Sequence, residues 1–317
     1  MNLLKFIAKR VLIFIPQLFA VLLVTFLLIR LIPGSPAEAM AGSFATDEVV
    51  AAIEEKMGLD KSLTTQFVMY VEDLFHGDMG TSWYTSNPVT KDIAQRFPAT
   101  LELITYSLLL AVIIGVFFGL ATSFRPNSIG ARLGKGYSLL AGAMPEFWIA
   151  LLLIFAFYVT WDIAPAPLGR ISLSISPPKT ITGMYTIDAL LTGNMRAFKS
   201  AASQLVLPVV TLGLCYSGPI MKMTRTIMSD VVNANYVWYA RACGLPTKKV
   251  NRYVIRNGLT PVVTFIGVQY GYLFGAATLI EQIFGGGGIG QYAVSAVTNK
   301  DYAAIQGFML VAALFCM

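Results

Sequence analysis

The sequence has 317 residues, of which 56% are hydrophobic and 13% are charged, and its formal net charge is +6. Soluble domains contain about 25% charged residues, so a chain this apolar cannot bury its hydrophobic surface in one water-soluble core. The composition therefore excludes an ordinary soluble protein and predicts an all-α, polytopic membrane protein. The three cysteines, Cys215, Cys243 and Cys316, are too scattered to predict a disulfide framework or a metal site.

Long uncharged segments predict about six transmembrane helices, because a span needs about 20 apolar residues. Five predicted spans cover residues 11–29, 103–124, 137–161, 205–221 and 258–280. A sixth begins at Tyr302 and has 16 residues before the chain ends at Met317. We therefore expect either a shortened chain or an unusual C-terminal end.

The segment between the first two spans is polar and acidic, and it predicts a helical insertion outside the membrane. Its predicted bounds are residues 35–98, between a first transmembrane unit of residues 1–34 and a transmembrane core of residues 99–317. Thr46 and Ser62 are each placed to cap a short amphipathic helix. Gly58 and Gly77 follow these two segments, where glycine commonly ends a helix.

A carboxylate interrupts the third predicted span. Pro145 removes a helical hydrogen bond and is expected to kink the helix, and Glu146 follows it. A charged residue in lipid costs about 2.5–3.5 kcal/mol on insertion scales, so Glu146 is expected to face protein or water. Two interpretations stand equal: Glu146 lines a translocation pathway, or a neighbouring helix satisfies it. Glu281 and Gln282, at the end of the fifth span, are further candidates for the pathway.

The stretch Tyr236–Pro261 connects the fourth and fifth predicted spans. Residues Tyr236–Cys243 can form a helix, Gly244 suits its left-handed C-terminal cap, and Pro246 follows where the helix cannot continue. A second short helix is predicted from about Thr247. It would carry basic side chains four residues apart along one face, namely Lys248, Arg252 and Arg256. Helix, turn and basic helix predict a rigid projection, called here the knob (residues 236–256).

Parts of this stretch resemble a known family. The run Ala240-Arg241-Ala242-Cys243-Gly244-Leu245, followed by Arg256-Asn257 and Pro261, resembles the coupling loop in permease subunits of ABC importers, most closely the peptide-importer branch. Trp238 stands where the general pattern has Glu, and the 17-residue gap from Gly244 to Pro261 is longer than in that pattern. Similar stretches of the same branch occur at Arg30–Ala37, Gly58–Asp60, Gly77–Ser82, Leu168–Arg170 and Ile181–Tyr185.

The resemblance implies a transmembrane permease subunit that is not an enzyme and binds no metal or other cofactor itself. Its implied coupling loop, residues 228–257, would contact an ATPase through Tyr239, Ala240, Arg241, Ala242, Gly244, Leu245, Lys248 and Arg252. The implied partners are a second permease subunit, expected to be a homologue, two ATPase subunits that use ATP and Mg, and an extracytoplasmic solute-binding protein. Most members of the family carry peptides, and others carry nickel, glutathione or opine-like solutes, across the bacterial inner membrane.

Other functions fit the residues less well. On spacing alone, a basic loop that only rests on anionic lipid head groups is an equal alternative for the knob. An ion-coupled secondary carrier needs ionisable residues inside several spans, whereas Glu146 alone lies mid-span and Glu102 and Glu281 lie at span ends. The pair Gly134-Lys135 lacks the other residues of a phosphate-binding loop, which argues against an ATP site in this chain.

The distribution of basic residues predicts the orientation. With a cytoplasmic N-terminus, residues 1–10, 124–136 and 222–256 carry 13 Lys or Arg against one acid, Asp230. Residues 35–98 carry four Lys or Arg against ten acids. Because basic residues concentrate in cytoplasmic loops, the knob is predicted to be cytoplasmic and the 35–98 segment extracytoplasmic. The bilayer thus explains the positive charge without a nucleic-acid partner.

Overall fold

The chain is built from helices, and the described residues contain no β-strand. The computed structural model describes residues 3–31, 35–41, 45–56 and 58–317. A π-helical segment, Ile154–Thr160, extends the seventh α-helix. The α-helices are α1 (Leu3–Leu31), α2 (Pro36–Ala41), α3 (Asp47–Lys56), α4 (Leu63–Phe75), α5 (Val89–Phe124), α6 (Ile129–Ala143), α7 (Glu146–Leu153), α8 (Tyr185–Leu191), α9 (Met195–Val232), α10 (Asn235–Ala242), α11 (Thr247–Phe284), α12 (Ile289–Thr298) and α13 (Tyr302–Cys316).

Four of the described helices, α1, α5, α9 and α11, are long and apolar enough to cross a membrane. A fifth candidate is the pair formed by α6 and α7 with its π-helical extension, which is bent by 104°. The 15-residue α13 is a shorter apolar helix at the position of the sixth predicted span. These helices confirm the predicted all-α, polytopic membrane fold.

The third predicted span differs most from its prediction. It was expected as one kinked helix from residue 137 to 161, but the chain forms two helices separated by a sharp break. Pro145 takes an extended conformation just before α7, where its missing N–H costs no helical hydrogen bond. The first helix also begins earlier, because the Ser128 hydroxyl accepts the Ala131 N–H at 3.1 Å and caps α6. Arg132 and Lys135, which lie between the second and third predicted spans, are therefore helical.

The segment after α1 folds largely as predicted. Ser62 caps α4 by accepting the Thr65 N–H at 3.3 Å, and both Gly58 and Gly77 have positive φ, at 65° and 78°. The end of α1 packs against α4, where Arg30 Nε donates to Gln66 Oε1 at 2.9 Å. The predicted division of the chain at residue 34 falls outside the described residues, and the division into 1–34, 35–98 and 99–317 stays a prediction.

Contacts group the chain into two compact units. One unit comprises residues 1–97 and 288–317, and within it α13 packs against α1 and α12. The other comprises residues 98–287, and within it α9 packs against α6, α7, α8 and α11. All residues predicted for coupling and for the pathway belong to this second unit, which is called here the membrane unit and has α9 at its centre.

The predicted orientation can be tested by labelling single cysteines from outside the cell. Thr64 and Thr247 are both exposed and lie in α4 and at the start of α11. After replacement of the three native cysteines, a membrane-impermeant maleimide is expected to label Thr64→Cys in intact cells and Thr247→Cys only after lysis. Labelling of Thr247→Cys but not of Thr64→Cys in intact cells would reverse the topology.

Candidate functional site: the knob and the polar sites of the membrane unit

The turn after α10 is fixed by a local hydrogen-bond pattern. Gly244 has φ +73°, and its N–H donates to the Arg241 carbonyl at 2.9 Å. The Leu245 N–H donates to the Ala240 carbonyl at 3.2 Å. These two bonds form the cap that commonly ends a helix at glycine. No heavy atom lies within 4 Å of the position a Cβ of Gly244 would take, so the backbone conformation, and not space, requires glycine. The predicted left-handed cap is confirmed.

The second helix of the knob was predicted to be short. In the structure it is instead the beginning of a long, apolar helix that is a candidate membrane span. Helix α11 runs for 38 residues from Thr247 to Phe284 without a break. Gly258, which could have interrupted it, allows close contact with α9, since a Cβ there would lie 2.6 Å from Met228 Sδ. Lys248, Arg252 and Arg256 are therefore part of the same helix that continues into the predicted fifth span, whereas Arg241 lies in α10.

The knob has a small hydrophobic core of its own. Val237 of α10 packs with Met228 of α9 and with Val250 and Val254 of α11, and all four are buried. Ala240 and Leu245, predicted to contact an ATPase, are partly buried against this core. Both residues thus face inward and hold α10 in place. Their contact with an ATPase stays a prediction, and their side chains support the outer surface more than they form it.

The outer surface of the knob combines aromatic and basic side chains. Trp238 and Tyr239 are 71% and 66% exposed, which is unusual for residues of this size. The predicted coupling residues Arg241, Ala242, Lys248 and Arg252 are also exposed. Within the described residues, none of these basic side chains has a salt bridge. Aromatic anchors surrounded by charge are typical of protein-binding surfaces.

Trp238 was not among the predicted coupling residues, and its exposure makes it a further candidate. It directly follows Val237, whose burial turns the next side chain of the helix away from the core. A tryptophan that the helical pattern places in water is a candidate for partner binding.

Pro145 and Glu146 lie beside an open pocket in the membrane unit. Glu146 is the first residue of α7 and is half-buried, whereas Pro145 at the break is exposed. Glu146 lines a pocket of about 260 Å³ together with Cys215 and Tyr216 of α9 and Tyr272 of α11. No described residue forms a hydrogen bond or salt bridge with the Glu146 carboxylate. An ionised group in such a place needs water or a solute as its partner.

Glu281 and Gln282 lie elsewhere, and only Glu281 is buried. The Glu281 side chain is 2% exposed and accepts a hydrogen bond from the Thr100 hydroxyl, while Gln282 is exposed. Glu281 lines a small cavity of about 30 Å³ with Glu102 and Arg170. Of the four predicted pathway residues, Glu146 and Glu281 therefore line two different cavities, and Pro145 and Gln282 line neither.

An ion pair that the sequence did not reveal adjoins Glu281. Arg170 Nη2 lies 2.8 Å from Glu102 Oε2, and Glu102 Oε1 accepts the Thr186 N–H at 2.8 Å. Arg170 also donates to the Gly183 carbonyl at 2.8 Å. The loop after α7 is thereby tied to α5 and α8. Since 68 residues separate the two charges, no local pattern could have predicted the pair.

Comparison with known proteins covers almost the whole chain. Residues 111–317 match the family of binding-protein-dependent transport system inner membrane components, and residues 3–104 match its N-terminal region. The chain is 38% identical to the probable D,D-dipeptide transport system permease protein DdpB of Escherichia coli over 292 residues, which is 92% of this chain and 86% of the relative.

Two further relatives are similar over an even larger part of the chain. The di/tripeptide transport system permease protein DppB of Pseudomonas aeruginosa is 39% identical over 98% of this chain and 93% of its own length. The glutathione transport system permease protein GsiC of Salmonella paratyphi A is 32% identical over 98% of this chain and 92% of its own length. These matches do not favour the secondary carrier.

The comparisons agree with the family expected from the knob and the other resembling stretches. Such an importer is a complex of several subunits, and the apolar helices place this subunit in the bacterial inner membrane. The chain belongs to the family of binding-protein-dependent transport system inner membrane components and is a multi-pass permease subunit of an ABC importer.

Proposed function

We propose that this permease forms half of a pathway that imports peptides or a related small solute. A second permease subunit, a homologue of this one, would supply the other half. Two ATPase subunits that bind ATP and Mg would drive transport, and an extracytoplasmic binding protein would deliver the solute. The names of the relatives support a peptide solute, because they describe dipeptide, di/tripeptide and glutathione transport.

The observation that carries this proposal is the construction of the knob. Its exposed Trp238, Tyr239 and Arg241 stand on a buried core shared by α9, α10 and α11. An ATPase that binds this surface would therefore act on two spans, α9 and α11, at once. The exposed Arg241, Lys248 and Arg252 of the knob would add long-range attraction to an acidic groove of the ATPase, although each exposed charge contributes only about 0–1 kcal/mol.

Movement of the knob would reach the Glu146 pocket through rigid helices. Tyr216 and Tyr272, which line the pocket, belong to α9 and α11, and the Tyr216 hydroxyl donates to the Tyr272 carbonyl at 3.3 Å. The third wall comes from the broken pair α6 and α7. A shift of α9 and α11 relative to α7 would change the shape of the pocket, as alternating access requires.

The proposed function can be tested by purification and by uptake. Affinity purification of the full chain in mild detergent is expected to recover two ATPases and a second permease. Uptake of labelled di- and tripeptides should depend on ATP and on the binding protein. Recovery of the chain without any ATPase, combined with uptake driven by an ion gradient, would contradict the proposal.

The role of Glu146 is tested by replacing its carboxylate. Glu146→Leu is expected to lower uptake about ten-fold or more, because a hydrogen bond to a charged group contributes about 1.5–3 kcal/mol. Glu146→Gln keeps the shape and should lower uptake less. Initial uptake rates are compared at matched permease levels. Unchanged uptake with equal or higher thermal stability in Glu146→Leu would show that Glu146 only serves packing.

A further inference from the structure

A large apolar groove lies between α5 and α6 and shares no lining residue with the Glu146 pocket. It has a volume of about 730 Å³, and Met221 of α9 forms part of its floor. Phe117 of α5 and Leu133 of α6 line it and are 66% and 70% exposed. The lining residues include no acid. The apolar walls offer few hydrogen-bond partners, so the groove is unsuited to a peptide, whose backbone groups need them.

The groove is about as deep as one leaflet of a bilayer. Its lining residues on α5 follow helical spacing along one face, from Ile114 through Phe117 to Ala121, and Arg125 comes directly after the helix at the same spacing. Eleven residues of helix rise about 16 Å, and half of a hydrocarbon core is about 15 Å. An acyl chain that enters at the Arg125 end can therefore lie along the groove to the middle of the bilayer.

A single cation marks one end of this groove. Arg125 is the first residue after α5, lines the groove and is exposed. No described residue forms a salt bridge with its guanidinium. The distribution of basic residues predicts that this end is cytoplasmic, at the level of the lipid head groups. The groove thus presents an apolar surface one leaflet deep with a positive charge at its polar end.

We propose that this groove binds an anionic phospholipid of the cytoplasmic leaflet. The phosphate pairs with Arg125, and one acyl chain packs against Phe117 and Leu133. Basic pockets between transmembrane helices on the cytoplasmic side are known to favour anionic head groups. An amphiphile with one negative end matches both the apolar walls and the single charge, and this complementarity favours a lipid over a helix of another subunit.

The test measures lipid bound to the full chain by native mass spectrometry from mild detergent. Dioleoyl phosphatidylglycerol is expected to stay bound more than dioleoyl phosphatidylcholine. Arg125→Gln should lower retention of phosphatidylglycerol about five-fold, since a basic residue near anionic lipid contributes about 1 kcal/mol. The matched control is Arg132→Gln, which removes an exposed arginine of α6 that does not line the groove, and it should change little.

Filling the groove tests the apolar contact while Arg125 stays in place. Ala121→Trp and Gly130→Trp each add a ring at an exposed position inside the groove, where a Cβ at Gly130 meets only the Ser128 hydroxyl. Either variant should lower retention of both lipids. Glycerol phosphate, the head group without chains, should not displace phosphatidylglycerol.

Three results would overturn the proposal. The first is an equal loss of phosphatidylglycerol in Arg125→Gln and Arg132→Gln, which would indicate a diffuse charge effect. The second is unchanged retention in both groove-filling variants. The third is loss of the bound lipid whenever the second permease subunit is present, which would make that subunit the occupant. The purified complex supplies this last comparison.

Discussion

Replacement of Arg170 by leucine is expected to destabilise the membrane unit by about 3–5 kcal/mol, because it leaves a buried carboxylate without its counter-charge. The side chains of Arg170 and Glu102 are 15% and 1% exposed, and their charged atoms lie 2.8 Å apart. Arg170 also covers the ring of Tyr185 at 3.7 Å from its centroid. Its loss therefore removes an ion pair, a hydrogen bond to Gly183 and a ring contact together.

The expected loss comes mainly from the charge that remains, so a second change should recover part of it. In the double variant Glu102→Gln with Arg170→Leu, the amide oxygen can still accept the Thr186 N–H, and no buried charge remains. Thermal unfolding of the purified full chain should show Arg170→Leu as less stable than the double variant. The opposite order would show that packing against Tyr185, and not charge, is the main contribution of Arg170.

The loop tied down by Arg170 is also ordered by a second carboxylate. Asp188 of α8 accepts hydrogen bonds from the Thr182 hydroxyl at 2.7 Å and from the backbone N–H groups of Ile181, Thr182 and Gly183. Burial opposes its ionisation, but these hydrogen bonds outweigh it and lower the pKa of Asp188. Limited proteolysis of the 161–184 loop therefore gives a second readout for Arg170→Leu, since Asp188 alone should hold only residues near 181–183.

The features predicted well from the sequence depend on residues close together in the chain. The cap at Gly244 follows from one glycine after a helical run, and the caps at Ser62 and Gly58 are equally local. An apolar run also fixes where a helix crosses lipid. It does not fix where the helix ends, because α9 and α11 continue far into polar residues. The turn and the short first helix of the knob were therefore predicted correctly, whereas its second helix was wrongly predicted to be short.

The features that were missed depend on contacts between distant residues. Which face of α10 is buried was decided by Met228, Val250 and Val254, and this turned Ala240 inward and Trp238 outward. The pairing of Glu102 with Arg170, 68 positions apart in the sequence, needed the fold of the chain between them. Even the break at Pro145, a strong local signal, did not reveal a bend of 104°.

Replacement of Gly244 by valine is expected to lower the amount of ATPase that co-purifies with the permease about ten-fold. A β-branched residue at φ +73° costs about 1–2 kcal/mol in this backbone region, and the turn can relieve that strain only by losing the bonds to Arg241 and Ala240. Helix α10 would then tilt on its small core and move Trp238 from its position. Insertion into the membrane should stay near normal, because the spans are unchanged.

Matched variants separate this effect from simple loss of contact. Gly244→Asn adds a side chain of similar size that tolerates positive φ, and the space around Gly244 is open, so coupling should be largely kept. Charge reversal at Arg241 alone should reduce ATPase recovery less than Gly244→Val, since a single exposed charge contributes little. Recovered ATPase per permease and peptide uptake are measured at matched permease levels. Normal values for both in Gly244→Val would mean that ATPase binding tolerates movement of α10, and the surface around Trp238 could not then be the site of coupling.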